Sequence, residues 1–268
     1  MTRRARVDAE LVRRGLARSR QQAAELIGAG RVSIDGMPAA KPSTAITVDA
    51  RLTVAAGETS WVSRGAHKLI GALDVFGIAV AERRCLDAGA STGGFTEVLL
   101  DRGAREVVAV DVGYGQLAWS VRTDPRVVVM ERTNVRELTS EAIGGPVDLI
   151  VADLSFISLS TVLPALTSCA SPGADIVPMV KPQFEVGRDR VGAGGVVTDP
   201  PVRADAVGAV ARRAEELGWH TVAATASPLP GPAGNVEYFL HLRTDTGGAL
   251  AGDALDAEIR RAVEEGPQ

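Results

Sequence analysis

The sequence predicts an α/β fold, in which a mostly parallel seven-stranded sheet follows a small N-terminal α+β domain. The chain has 268 residues, of which 46% are hydrophobic and 23% are charged, enough for one large core and a smaller one. From about residue 65, short β-type segments alternate with segments whose apolar residues have helical spacing. This alternation is typical of a parallel sheet with helices on both faces.

The N-terminal domain, residues 1–59, shows two helical segments followed by short strands. Apolar residues around Leu11 mark the first helix, and the second begins at a capping residue, Ser19, and ends at Gly30. Strand-like alternation follows as far as residue 54, with an Asp-Gly turn inside it. We therefore expect a small domain with two helices and a little sheet.

This N-terminal part is basic although the whole chain is acidic. Residues 1–60 carry ten lysine and arginine residues against six acidic ones, a formal charge of +4, while the remainder carries 19 against 27, or −8. A basic N-terminal domain in an otherwise acidic chain favours contact with a polyanion such as RNA. A solvated arginine-rich surface would give the same charge distribution. The candidate RNA-binding residues here are Arg4, Arg6, Arg14, Arg18 and Arg20.

Residues 60–64 are predicted to be an interdomain linker, and residues 65–268 form the α/β domain. No helix separates its last two strands, which are joined by a loop rich in proline and glycine, so the sheet is expected to end in one antiparallel edge strand. A terminal segment, Asp253–Glu265, has the pattern of an amphipathic surface helix. The predicted strands are residues 84–88, 106–111, 127–130, 148–153, 175–181, 220–226 and 236–242.

A glycine-rich turn follows the first strand of this domain and leads into a helix. Its spacing, Gly-x-x-x-Gly-Gly, is neither a dinucleotide fingerprint nor a phosphate loop. Asp111 ends the next strand, where a carboxylate can accept hydrogen bonds from both ribose hydroxyls. The combination favours a nucleoside ligand without a pyrophosphate, usually S-adenosylmethionine, over a plain strand–turn–helix. The candidate cofactor-binding residues are Asp87, Gly89, Ser91, Thr92, Gly93, Gly94, Phe95, Asp111, Asn134 and Asp153.

Four charged residues are predicted to meet at one edge of the sheet. Asp153 and Lys181 end parallel strands, Glu237 begins the final antiparallel strand, and Lys68 opens a helix ahead of the first strand. Two amines and two carboxylates around one cleft suit the deprotonation of an alcohol, with a lysine as the base. Taken singly, each residue could be a surface charge or part of a structural ion pair; together they favour catalysis.

Three further residues are candidates for RNA contact beside this edge. Phe156 and Phe184 follow Asp153 and Lys181 closely and could stack on an unpaired base. Partial burial under a loop would explain the two aromatic residues equally well. Arg64, at the end of the linker, is the third candidate.

Composition also excludes several classes of protein. No uninterrupted apolar run approaches the roughly 18–20 residues of a membrane helix, and the first residues lack the apolar segment of a secretory signal. Two distant cysteines, Cys85 and Cys169, and only three histidines disfavour a disulfide scaffold and a metal site. A cytoplasmic protein without metal or membrane partners is expected.

These motifs resemble the TlyA family of bacterial ribosomal RNA 2'-O-methyltransferases, sometimes labelled haemolysin A. The N-terminal domain resembles the RNA-binding module of ribosomal protein S4, and the body resembles FtsJ-like methyltransferases. The resemblance rests on the blocks Trp61–Lys68, Asp87–Phe95, Asp153–Ser158 and Val180–Glu185 and covers nearly the whole chain. It implies a Rossmann-like class I methyltransferase domain and places the family's Lys-Asp-Lys-Glu tetrad on Lys68, Asp153, Lys181 and Glu237.

The resemblance also implies the substrate. Methyl transfer from S-adenosylmethionine to cytidine 2'-hydroxyls in 16S and 23S ribosomal RNA is expected, with an effect on susceptibility to capreomycin-type antibiotics. The arginine-rich start and the C-terminal helix are similar to the longer form of the family, which modifies both subunits. The linker differs: Thr59–Val62 reads Thr-Ser-Trp-Val where the family more often has Arg-Ala-Trp-Val, so the family's arginine is replaced by Thr59.

Three other functions remain open at this point. The protein could be a non-catalytic RNA- or ribosome-binding factor with a vestigial cleft, which absence of S-adenosylmethionine binding would favour. It could be a membrane-active haemolysin, although its amphipathic terminal segment is acidic and contains no aromatic residue. A nicotinamide dehydrogenase is disfavoured by the glycine spacing.

Overall fold

The computed structural model describes residues 4–17, 19–28, 30–55 and 61–267. The chain divides into two compact units, Met1–Ser60 and Trp61–Gln268. Trp61 and Val62, within the predicted linker, pack against an apolar cluster of the second unit. Ser60, the first residue of that linker, lies outside the described residues.

The N-terminal unit combines two helices with short antiparallel strands. The first strand of the unit pairs with the fourth, and the second strand pairs with both the third and the fifth. The Ser19 hydroxyl accepts a hydrogen bond from the backbone N–H of Gln22 (3.1 Å), which confirms the predicted helix cap. The elements are β1 (Arg4–Arg6), α1 (Val7–Arg13), α2 (Arg20–Gly28), β2 (Val32–Ile34), β3 (Met37–Pro38), β4 (Ala45–Thr47) and β5 (Leu52–Val54).

Two buried carboxylates in α1 organise the arginines of this unit. Asp8 accepts hydrogen bonds from Arg6 (2.9 and 3.0 Å) and Arg20 (3.0 Å), and these guanidinium groups, Arg6 foremost, hold the pKa of Asp8 well below its usual range. Arg13 and Arg14 do the same for Glu10, lowering its pKa to about 2. Part of the positive charge is therefore compensated within the unit itself.

The second unit is built around one sheet. Its strands are β6 (Arg84–Ala88), β7 (Glu106–Val110), β8 (Val127–Met130), β9 (Val147–Ala152), β10 (Ala170–Val180), β11 (His220–Ala226) and β12 (Tyr238–Arg243), and its helices are α3 (Gly65–Phe76), α4 (Gly94–Asp101), α5 (Trp119–Arg122), α6 (Leu159–Ser168), α7 (Pro182–Glu185), α8 (Pro200–Glu216) and α9 (Gly252–Glu264). Within residues 61–267, these seven strands lie in the order β11-β12-β10-β9-β6-β7-β8. The predicted strands are confirmed, although β10 begins earlier than expected, at Ala170, and β12 begins two residues later, at Tyr238.

The α/β class and the single antiparallel strand are confirmed, but the expected place of that strand at the edge is wrong. Strand β12 runs antiparallel to both β10 and β11 and lies between them. The connection through α8 carries the chain past the position next to β10, so β11 becomes the edge strand. The following hairpin then returns β12 into the open position.

The sheet buries an apolar layer on each face. Neighbouring residues of one strand face opposite layers, as the two-residue period of a strand requires: Cys85 joins one cluster and Leu86 the other. Helices α3 and α4 pack on the first layer, and α6, α8 and α9 pack on the second. The buried stripe of α9, with Leu255, Ile259 and Val263, confirms the predicted amphipathic helix.

One carboxyl group is enclosed at the end of β6. Asp87 is fully buried, and its Oδ2 accepts a hydrogen bond from the Thr96 hydroxyl (2.6 Å). Its Oδ1 has no hydrogen-bond partner within the described residues. Burial raises the pKa of Asp87 from 3.8 to about 7, and the nearby negative charge of Asp153 acts in the same direction. The carboxyl group is therefore protonated far more readily than an ordinary aspartate.

This enclosed carboxyl group predicts a pH-dependent stability difference between the protein and its Asp87→Asn variant. The pKa of Asp87 is higher in the folded state than in the unfolded chain. This difference does not affect the free energy of unfolding at low pH, but it lowers that free energy as the pH rises from 3.8 to about 7. Relative to the variant, the wild-type protein should lose roughly 1.4 kcal/mol of unfolding free energy per pH unit in that window, and little more above it. Urea unfolding at several pH values measures this; parallel pH curves for the two proteins would contradict it.

Candidate active site

The glycine-rich turn connects β6 to α4 and brings backbone close to the next strand. Gly89 and Gly93 have φ values of 92° and 97°, which favour glycine. A Cβ on Gly89 would also collide with the carbonyl oxygen of Asp153, at the end of β9. Glycine is thus required here both by the turn and by the close approach of β9.

The carboxylate of Asp111 is fixed against this turn. It accepts hydrogen bonds from the backbone N–H groups of Ser91 (2.8 Å) and Gly113 (2.7 Å). Each of its oxygens keeps a further acceptor position, which suits a pair of ribose hydroxyls. Asp111 and Ser91 line a small cavity together with Glu131, whose pKa is lowered by its hydrogen bonds from Arg122.

The four charged residues form two ion pairs at the carboxyl edge of the sheet. Asp153 follows β9 and Lys181 follows β10, its parallel neighbour; Lys181 Nζ lies 2.6 Å from Asp153 Oδ1. Lys68, on the first turn of α3, forms an ion pair with Glu237, which immediately precedes β12. The Lys68 and Glu237 side chains are both buried, so this pair is shielded from bulk water.

One cavity of about 200 Å³ brings these groups and the glycine turn together. It contains the four charged residues proposed for catalysis and most of the turn residues proposed for the cofactor. An amine and an activated ligand bound on the turn would therefore face the same small space. Its lining is Ser63, Arg64, Gly65, Lys68, Gly89, Ala90, Ser91, Thr92, Gly94, Phe95, Asp153, Lys181, Pro232 and Glu237.

The residues around the turn fit a nucleoside with a charged tail. The backbone cradle at Gly89 leaves no space for a side chain, and Asp111 offers acceptors at the neighbouring strand end. The buried Oδ1 of Asp87, two residues before Gly89, is an acceptor without a donor in the described residues. Such an acceptor suits a cationic ligand group near the turn.

One predicted cofactor residue is placed elsewhere. The side chain of Asn134 caps a 3-10 turn, Val135–Glu137, by accepting a hydrogen bond from the backbone N–H of Arg136 (3.1 Å). Asn134 lines neither of the two cavities beside the glycine turn. The same is true of Asp87 and Gly93, although these two belong to the turn and to the strand end before it. A short polar residue after a strand suits a ligand contact and a helix cap equally, so the sequence could not separate these roles.

The two aromatic candidates lie together beside the charged cluster. The rings of Phe156 and Phe184 are 5.3 Å apart between centroids, and Phe156 is 91% exposed. Phe156 also has a φ of 64°, which is strained for a bulky residue. Both rings line an open pocket of about 570 Å³ with Gln183. This position suits stacking with an unpaired base.

The basic residues of the N-terminal unit fall into different environments. Arg4 is exposed and forms no ion pair within the described residues. The side chains of Arg6 and Arg20 bind Asp8 but remain 51% and 61% exposed. Arg14 is only 23% exposed and donates to the carbonyl oxygens of Val48 (2.6 Å) and Ala50 (2.7 Å), so it also holds the unit together. Arg18 lies outside the described residues.

Sequence reasoning missed three residues near the charged cluster. Ser63 and Pro232 line the cavity, but each comes from a segment that reads only as linker or loop. The Ser155 hydroxyl accepts a hydrogen bond from Lys181 Nζ (3.0 Å), and its position two residues after Asp153 was the available signal.

Arg64, predicted to contact RNA, lines the cavity and donates to the Pro230 carbonyl oxygen (3.1 Å).

Two classes of site are missing from the part of the chain that the structure describes. No group of three or more metal-binding side chains occurs among these residues. None of the helices in the same ranges is long and apolar enough to cross a membrane.

Comparison with known proteins agrees with this architecture. The sequence profile of the FtsJ-like methyltransferases matches residues 61–244, and that of the S4 domain matches residues 5–52. A solved structure from Streptococcus thermophilus, described as a hemolysin, is 36% identical, with a TM-score of 0.73, and covers 99% of this chain and 98% of its own.

Curated relatives extend along the whole chain. The protein is 74% identical over 268 residues to the 16S/23S rRNA (cytidine-2'-O)-methyltransferase TlyA of Mycobacterium tuberculosis, with both chains fully covered. It is 43% identical over 261 residues to YqxC of Bacillus subtilis, covering 97% of this chain and 93% of that one. The chain therefore belongs to the TlyA family of methyltransferases, which join an S4 domain to an FtsJ-like catalytic domain.

Proposed function

We propose that this protein uses S-adenosylmethionine to methylate cytidine 2'-hydroxyls in 16S and 23S ribosomal RNA. The observation that carries the proposal is the single cavity that contains the glycine turn and the Lys68, Asp153, Lys181 and Glu237 side chains. The name of the 74%-identical relative gives the same reaction and the same two RNAs.

The residues around the glycine turn bind the methyl donor. The turn backbone, Asp111 and the buried acceptor of Asp87 are the groups that would hold it. When bound, S-adenosylmethionine supplies a methyl group activated by a sulfonium. The chain itself then has to orient a ribose hydroxyl towards that side of the cavity and remove its proton.

Lys181 is the residue that receives this proton. Its amine lines the cavity and is fixed by Asp153 at 2.6 Å. In its neutral form the amine accepts the hydroxyl proton, and Asp153 then stabilises the resulting ammonium. Lys68, paired with Glu237, adds a positive charge to the same cavity. This charge would stabilise the negative charge that develops on the ribose oxygen.

The N-terminal unit supplies contact with RNA phosphates. Arg4, Arg6 and Arg20 keep exposed guanidinium groups that suit such contacts. Phe156 and Phe184 would hold a base beside the catalytic edge. Arg14 and Arg64, which also donate hydrogen bonds to backbone carbonyl oxygens, would add further contacts with RNA. Contact between Arg18 and RNA, and contact between Asn134 and the methyl donor, stay predictions.

The choice of both ribosomal subunits rests on similarity over the full chain. The relative from Campylobacter jejuni, named only for 23S rRNA, matches 68% of this chain, whereas the relative named for 16S and 23S rRNA matches all of it. We therefore propose action on both subunits, in the cytoplasm where they are found. The link to capreomycin susceptibility stays a prediction.

The reaction predicts that Lys181→Arg and Lys181→Ala both abolish catalysis. Arginine preserves the charge but cannot give up its proton, so neither variant supplies a base. Methyl transfer from labelled S-adenosylmethionine to separate, unmethylated 30S and 50S subunits should fall at least about 100-fold. Cofactor binding, measured by calorimetry, should remain in both variants.

Lys41→Arg, on the exposed surface of the N-terminal unit, is the matched control and should remain active. Near-normal transfer by Lys181→Arg would end the assignment of Lys181 as base. A wild-type protein that binds ribosomal RNA but neither binds S-adenosylmethionine nor transfers methyl would instead be a non-catalytic RNA-binding factor.

The basic N-terminal surface predicts a measurable salt dependence of RNA binding. Arg4→Ala should weaken binding and lower the slope of log K against log salt by roughly one, because one phosphate contact is lost. Arg14→Ala, in contrast, should lower the thermal stability of the N-terminal unit, because it removes contacts to Glu10 and two backbone carbonyls. An unchanged salt slope for Arg4→Ala would show that Arg4 does not contact phosphate.

A further inference from the structure

The amine of Lys181 has two partners, not one. It donates to Asp153 Oδ1 at 2.6 Å and to the Ser155 hydroxyl oxygen at 3.0 Å. The side chain of Lys181 is almost fully buried, yet it lines the cavity. No third partner of Nζ occurs within the described residues, so one bonding direction of the nitrogen remains.

From this geometry we propose that Ser155 is a positioning residue for Lys181, a role that rests on the function proposed above. The hydroxyl oxygen of Ser155 fixes which direction of the Lys181 amine carries its lone pair. That direction faces the ribose hydroxyl whose proton the amine removes. Ser155 touches neither the substrate nor the methyl donor in this step; it acts through Lys181.

The stereochemistry of an amine explains why a second partner is needed. A neutral amine has two N–H bonds and one lone pair in three staggered positions around the Cε–Nζ bond. Asp153 alone would occupy one position and leave the lone pair free to take either of the other two. With Ser155 accepting the second N–H, only one position is left for the lone pair.

The proton transfer then has a defined path. The ribose O–H bond breaks, the lone pair of Lys181 Nζ forms the new N–H bond, and the oxygen keeps the electron pair. The resulting ammonium donates all three of its N–H groups: to Asp153, to Ser155 and to the ribose oxygen. Misplacing the lone pair would require the amine to rotate before each transfer.

The surroundings of Ser155 separate this role from a structural one. Ser155 is exposed, and within the described residues its hydroxyl forms no hydrogen bond except the one with Lys181. Ser158, in the same loop, differs: its hydroxyl donates to Glu185 (2.6 Å) and accepts from the backbone N–H of Ser160, capping α6. Loss of the Ser158 hydroxyl should affect the fold, whereas loss of the Ser155 hydroxyl should affect only the amine.

The decisive comparison is between Ser155→Thr and Ser155→Val, which have the same shape but differ in the hydroxyl. Rates are measured with the full chain, labelled S-adenosylmethionine and unmethylated 30S and 50S subunits. Thr should retain near-normal kcat, and Val should lower kcat about tenfold, the effect expected for one hydrogen bond. KM for the subunits and the melting temperature should be the same in both variants.

Ser158→Ala is the structural comparison: its melting temperature should fall, because a helix cap is lost, whereas that of Ser155→Val should not. Equal kcat for Ser155→Thr and Ser155→Val, with an active wild-type protein, would overturn the role of Ser155 alone. Absence of any methyl transfer by the wild-type protein would overturn the proposed function, and the role of Ser155 with it.

Discussion

The ion pair between Lys181 and Asp153 depends on the parallel pairing of β9 and β10, and the rest of the site is arranged around it. Each residue immediately follows its strand, so the pairing sets the two side chains next to each other. The same edge receives the glycine turn from β6 and Glu237 from the start of β12. Residues distant in the sequence thus converge because strand ends converge, which is the usual position of ligands in open α/β sheets.

The chain uses arginine far more often than lysine, but the cavity contains two of its few lysines. Of 29 lysine and arginine residues only three are lysines, and two of these, Lys68 and Lys181, share the cavity. Arginine is found where a permanent charge is sufficient, as in the ion pairs with the buried carboxylates of Asp8 and Glu10. Lysine rather than arginine stands at position 181, where the proposed base has to gain and lose a proton, a requirement that arginine cannot meet.

Local patterns predicted much of this molecule. Strand ends, the glycine turn and the cap at Ser19 follow from short-range periodicity and backbone rules. Three of the four charged residues follow from the strand ends, and the fourth, Lys68, from the start of a helix. What could not be predicted depends on long-range contacts. Strand β12 lies between β10 and β11 because the connection through α8 leaves the position next to β10 unoccupied. The partners of Arg14 become visible only in the folded unit. Ser155 has a local signal, its position two residues after Asp153, but its contact with Lys181 joins residues 26 apart and becomes visible only in the folded domain.

The insertion of β12 between two strands that precede it in the chain links assembly to chemistry. During synthesis from the N-terminus, β10 and β11 emerge before β12, the strand that pairs with both of them. Residues 238–243 form that strand, and Glu237, which lines the cavity, immediately precedes it. A copy of the chain truncated before residue 237 therefore lacks both the strand that joins β10 to β11 and one of the four charged residues of the cavity.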